Sequence, residues 1–148
     1  MAKATENPLA KLAVMKSSSD DESSERRQGT EKCGCVEKLM SAQQSLRLQH
    51  WLTKSHAQHK AIGNAYKDLD GLIDDFVETL IGAKGREVLS GISSISVGGD
   101  VQKILSDLED ALRNDISKDV GEKETALLNI RDEMLGLVQK TKYLLTQT

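Results

Sequence analysis

Aromatic residues are almost missing from this chain of 148 residues: one Trp, one Phe and two Tyr, 3% of the total. A core built without them must be made of Leu, Ile, Val, Ala and Met, a composition that suits helices. Proline occurs once, at Pro8, so nothing from residue 9 onward forbids long uninterrupted helices. No apolar run approaches the roughly eighteen residues that a membrane span needs, and the N-terminus has no apolar segment of the secretory kind. Charge of one sign is also scarce. With a net charge of −3 and a pI near 5.6, there is no global basic field to drive nucleic-acid binding. Cysteine is limited to Cys33 and Cys35 in a CGC tripeptide. Cysteines so close in sequence form a strained disulfide at best, and two thiols are too few for a structural zinc site. The expectation is a pair of reduced cytosolic thiols, with a metal or redox role as the alternative.

Length and composition fit one domain and a tail. Residues 1–32 are rich in Ser, Asp, Glu, Lys and Arg (KSSSDDESSERRQGTEK) and read as a disordered polyampholyte. Residues 33–148 carry the helical patterns. A first helix is expected over 36–53, where Val36, Leu39, Gln43, Leu46 and His50 form one stripe. Met40, Leu48 and Trp51 widen its apolar surface sideways, which calls for a neighbouring element or a second subunit. A break follows near 54–56, with Ser55 as N-cap. A second helix is expected over 59–81, with Ile62, Ala65, Tyr66, Leu69, Ile73, Phe76, Val77 and Leu80 on its core face and Gly82 and Gly85 as stops. Gly71, costly inside a helix, is expected at a close helix approach.

Residues 84–99 break the helical pattern. Their strand-like part has no visible partner strand, so they are expected to form a long crossover. A third helix begins at 99–100 and a fourth near 117–119, each with a clean apolar seam, and the alternating charges over 122–140 mark a solvated face. The fold class is therefore all-α: a ferritin-like four-helix bundle with one long crossover between its second and third helices, preceded by the tail.

The chemistry concentrates in HWLTKSHAQHKAIGNAYKDLDGLIDDFVE, residues 50–78, which hold all three histidines, His50, His56 and His59. On one straight helix His50 and His59 would point to opposite sides; across a short turn between antiparallel helices they can face each other. Asp70, Asp74 and Glu78 are four apart and line one side of the second helix. Imidazole and carboxylate projecting into a shared space suit an iron-type site. The plainer alternative is a wet acidic face partnered by Lys60 and Lys67.

The order His50-Trp51, His59, then Asp74-x-x-x-Glu78 resembles the Dps family of mini-ferritins. The sequence is more similar still to a Dps-like family encoded by tailed phages and large DNA viruses. That family carries an HWxTKSxAxHK segment, matched by 50–60, with a CGC before it and an NIRDEML-like last helix, matched by 129–135. The resemblance implies dodecameric shells in which His50 and His59 of one chain face Asp74 and Glu78 of another, with Trp51 beside them. Fe(II) would be oxidised there by peroxide or oxygen and stored as ferric mineral, in a host cytoplasm or a virion. DNA binding, which some members achieve through basic tails, is a weaker expectation here, because residues 1–32 are not net basic. Where the family often has an acid four residues after the second His, this chain has Gly63. The competing function is a ferritin-like structural or interaction protein without chemistry.

Overall fold

The computed structural model describes residues 33–148; the tail expected over 1–32 lies outside them. The described residues hold helices and no strands. Helix α1 spans Gly34–Leu52 and α2 spans His56–Lys84. A short 3₁₀ turn, Arg86–Leu89, opens the crossover. Helix α3 (Val101–Asp110) continues through a π-helical turn, Ala111–Asp115, into α4 (Ile116–Val120), and α5 spans Thr125–Leu145. The α3–α4 run behaves as one long helix, so the bundle has four.

Their packing closes a ring. α1 lies on α2, α2 on α5, α5 on α3 and α3 on α1. The crossover therefore joins helices that are diagonal in the bundle. Its core is aliphatic around one aromatic: Phe76, Leu39, Leu46, Ile62, Leu69, Leu80, Leu105, Leu112, Ile116, Leu127, Met134 and Val138 are all sealed from solvent. Truncating Phe76 to alanine would cost about 3–5 kcal/mol in lost transfer energy and cavity.

The crossover has no strand partner because α1 replaces one. Glu37, Ser41, Ser45 and Gln49 are four apart and so share a face. The backbone N–H groups of Ser93, Ser96 and Gly98 donate to Glu37 Oε1 (3.2 Å), Ser41 Oγ (3.1 Å) and Ser45 Oγ (3.1 Å). Gln49 Nε2 donates to the Gly99 carbonyl at 2.8 Å. An extended chain is thus zipped along α1 in the same direction, its backbone satisfied by side chains. This places the start of α3 beside the end of α1 and makes α3 antiparallel to α1.

Several boundaries differ from the sequence reading. α2 runs past Gly82, which needs no special backbone, and stops at Gly85, whose φ of 89° only glycine adopts freely. The helix after the crossover does not end before 117. Ser117 Oγ donates to the Arg113 carbonyl (3.1 Å), inside the helix, and the break comes at Gly121 with φ 89°. The last helix accordingly starts at Thr125. Gly71 does not mark a close approach, since a Cβ there would meet nothing within 4 Å. Arg131 does not lie on a solvated face. It reaches the π-helical turn, where Nη1 bonds Ser117 Oγ and lies 3.5 Å from the Leu112 carbonyl that the wider turn exposes. No helix among the described residues is long and apolar enough to cross a membrane.

Candidate functional site

The turn between α1 and α2 is built by its own polar side chains. Ser55 caps α2 by accepting from the Gln58 N–H (3.3 Å). Thr53 Oγ1 donates to Gln58 Oε1 (2.9 Å) and accepts from the Ser55 N–H (3.3 Å). The Thr53 N–H returns to the Gln49 carbonyl (3.0 Å) and closes α1. The Thr, Ser and Gln of the HWLTKSHAQHK segment therefore fix the angle at which the helices meet.

That angle brings His50 and His59 together. Their rings stack with centroids 3.7 Å apart and planes 25° from parallel. Each Nδ1 lies 2.8 Å from the other residue's backbone carbonyl oxygen. A carbonyl only accepts, so both Nδ1 atoms carry protons, and in the neutral rings both Nε2 atoms are left with a free lone pair. This orientation by a backbone carbonyl is the one that metal-binding histidines use. His59 is exposed and His50 half-buried, so the lone pairs are reachable.

Gly63 makes the pairing sterically feasible. A Cβ at this position would stand 2.7 Å from His50 Cε1 and 2.9 Å from His50 Nδ1. The acid that the mini-ferritin pattern often has here would displace the His50 ring. The sequence marked Gly63 only as a departure from the mini-ferritin pattern and assigned the close approach to Gly71; the available signal was the place of Gly63 one helical turn after His59.

Beside the pair lies an exposed aromatic patch. Tyr66 sits edge-on to His50 at 5.3 Å. The Arg47 guanidinium carbon lies 5.5 Å from the Trp51 ring and 5.7 Å from the Tyr66 ring, within cation–π range of both. Trp51 is 65% exposed and Leu52 60%, so this end of the bundle presents apolar surface to solvent.

The acids lie elsewhere. Asp74 is fifteen residues after His59 on the same helix, which is about 22 Å along its axis. Within one chain the histidines and the carboxylates cannot share an ion. Asp70 Oδ1 accepts from the buried Gln43 at 3.2 Å, the contact that brings an amide into the apolar stripe of α1. Asp74 and Glu78 are exposed and take part in none of the ion pairs among the described residues, and neither Lys60 nor Lys67 partners them. His56, the third histidine, is exposed on the outer side of the turn.

At the opposite end of the bundle Cys33 and Cys35 are joined as a disulfide, not free thiols as expected. Both are buried where α1 starts.

A family described only as one of unknown function, DUF5856, matches residues 50–145, so its match begins at His50 and includes Asp70, Asp74 and Glu78. The chain is also 34% identical over 109 residues to the "Uncharacterized 14.6 kDa protein in mobD-ri intergenic region" of Enterobacteria phage T4; the alignment covers 73% of this chain and 82% of the phage protein. No solved structure matches. The chain belongs to the DUF5856 family and is similar to a phage protein; neither description names iron or a ferritin.

Proposed function

We propose that this DUF5856 member is a ferritin-like protein that takes Fe(II) as substrate and oxidises it at a site completed between two copies of the chain. The observation that carries the reading is the His50–His59 pair, whose Nε2 lone pairs are set free by two backbone carbonyls. Each carbonyl holds one Nδ1–H and leaves the Nε2 of that ring without a protein partner among the described residues.

The other parts of the reading follow from geometry and the Dps resemblance. The ring of four helices with a diagonal crossover supports a ferritin-like reading of the bundle. The carboxylates of Asp74 and Glu78 take part in no ion pair among the described residues, and the helical rise of about 22 Å from His59 to Asp74, greater still to Glu78, calls for a second copy to supply one set. The exposed Trp51 end supplies apolar surface for that contact. His50 and His59 would donate nitrogen to the iron, and the partner copy's carboxylates would offset its rising charge as Fe(II) becomes Fe(III). Asp70, held by Gln43, would steady that face without ligating. With peroxide as oxidant, two Fe(II) each give one electron, the O–O bond breaks, and two protons complete two waters.

The competing reading is a bundle whose Trp51, Arg47 and Tyr66 patch binds a partner without chemistry. One experiment separates them: stoichiometric Fe(II) titration followed by ferric absorbance, with mass measured on the same sample. Saturable oxidation by a closed oligomer, abolished by Asp74→Ala with Glu78→Ala in a still-folded bundle, is the expected result. Oxidation at the uncatalysed rate, or an unchanged rate in the double variant, would overturn the iron site.

A further inference from the structure

The CGC tripeptide has no part in the site above, and it lies at the other end of the bundle. Cys33 is the N-cap of α1 and Cys35 stands in its first turn. Both are buried, Cys33 at 9% exposure and Cys35 at 0%. The fold adds a third group that sequence spacing could not show. Asp119, near the end of α4, is brought against them, and the two sulfurs and a carboxylate oxygen all lie within 4.8 Å of one another. This is the one group of three or more metal-capable side chains among the described residues. Lys84, in the last turn of α2, fixes the segment by donating to the carbonyls of Asp119 (3.3 Å) and Val120 (3.2 Å).

We propose that, in its reduced form, the Cys33–Cys35 pair together with Asp119 is a binding site for a thiophilic divalent cation of the Zn(II) class. Thiolate sulfur and a carboxylate oxygen are zinc donors, and three protein ligands leave a fourth tetrahedral position open. Around a tetrahedral ion with bonds of about 2.0–2.3 Å, neighbouring donor atoms stand about 3.3–3.8 Å apart; the two sulfurs, bonded to each other in the disulfide, separate to that spacing once reduced, and the Asp119 carboxylate, already within 4.8 Å of both, needs only a small shift to join them. The start of α1 supplies the charge balance: the unpaired N–H groups and the positive end of the dipole of a 19-residue helix favour thiolate over thiol. Asp119 is exposed, which gives the ion an entrance from solvent.

The disulfide is the oxidised, metal-free form of the same atoms. Loading it requires two electrons and two protons to break the S–S bond and give two thiols. A small dithiol supplies both and becomes a disulfide itself. The incoming cation then displaces the two thiol protons to solvent. The bound ion would tie the start of α1 to the end of α4, which the disulfide, confined to one tripeptide, does not do.

The test uses the full chain, reduced with a small dithiol, freed of it without air, and titrated with Co(II) as the spectroscopic stand-in for Zn(II). The expected result is a near-ultraviolet sulfur-to-cobalt charge-transfer band that saturates at one ion per chain, disappears on adding Zn(II), and is absent from the oxidised protein. Asp119→Asn, an exposed change that leaves the core intact, is expected to weaken Zn(II) binding by at least about tenfold, and Cys33→Ser to remove the band. No band in the reduced chain, an Asp119→Asn variant that binds as tightly as the unaltered protein, or saturation at half an ion per chain with doubled mass would each overturn the site; the last would mean sulfur ligands from two chains. Because the band reports sulfur ligation, an ion held by His50 and His59 does not imitate it, and failure here leaves the iron reading untouched.

Discussion

The His50 imidazole occupies the space where a side chain at position 63 would begin, with His50 Cε1 only 2.7 Å from the Cβ that Gly63 lacks. One residue without a side chain thus lets a ring from α1 lie across α2 and reach the His59 carbonyl. The relationship is directional. The His50 ring is the mobile end of a side chain, while position 63 is fixed in the middle of a helix, so any larger residue moves the ring and not the backbone.

Gly63→Ala is therefore expected to uncouple the histidine pair while keeping the bundle. The gain in helix propensity is about 1 kcal/mol, and the lost hydrogen bond costs about 0.5–1.5 kcal/mol. Unfolding free energy should change by less than about 1 kcal/mol, while the imidazole resonances of His50 and His59 shift and Fe(II) oxidation falls. Denaturant titration and proton NMR of the histidines check this, and unmoved resonances would count against the geometry.

Trp51→Ala is expected to act on assembly and not on folding. Trp51 is 65% exposed in the single chain, and within it the ring takes a cation–π contact from Arg47. That contact is worth about 0.5–1 kcal/mol at an exposed site. Light scattering should show a lower mass with the helical circular dichroism retained; an oligomer of unchanged mass would place the interface elsewhere.

Arg131→Ala is expected to destabilise the bundle despite lying in a segment of alternating surface charge. It removes the donors that meet the Leu112 carbonyl and Ser117 Oγ at the π-helical turn. Ser117 Oγ keeps its bonds to the Leu112 and Arg113 carbonyls, so the cost is that of the lost hydrogen bonds, about 0.5–1.5 kcal/mol each, and it should appear in urea unfolding. Arg131→Lys should recover little of it, because an ammonium cannot span both acceptors with the guanidinium's fixed geometry.

Stability should also depend on Glu109 in acid. The hydrogen bond from Lys142, and after it that from Arg113, hold the Glu109 carboxyl below its ordinary value of 4.5. A carboxyl whose pKa is depressed by folding stabilises the protein fully above its unfolded value, and the contribution is lost as pH falls through the folded value. The stability gap between the unaltered protein and Glu109→Gln, measured by urea unfolding, should be constant above about pH 6 and close as the pH drops through and below 4.5. A gap that persists into strong acid would show that the ion pairs contribute nothing.

Much of the bundle was legible in the chain itself. The lack of proline after Pro8 and the spacing of Ile62, Leu69, Phe76 and Leu80 determined long amphipathic helices, because helical periodicity is local and needs no knowledge of the partner. Ser55 was readable as a cap for the same reason. The crossover was readable as a break in pattern, but not its attachment, since Glu37, Ser41, Ser45 and Gln49 look like an ordinary polar face until the chain that covers them is in place. Only the tertiary structure decided that Gly63 and not Gly71 is the close contact, that Arg131 turns inward, that the imidazoles of His50 and His59 lock each other through backbone carbonyls, and that Asp119 meets Cys33 and Cys35. Each depends on a distance between residues on different helices. The order of residues along a chain does not contain such a distance; it is set when the apolar faces are buried together and the helices take up their crossing angles and register.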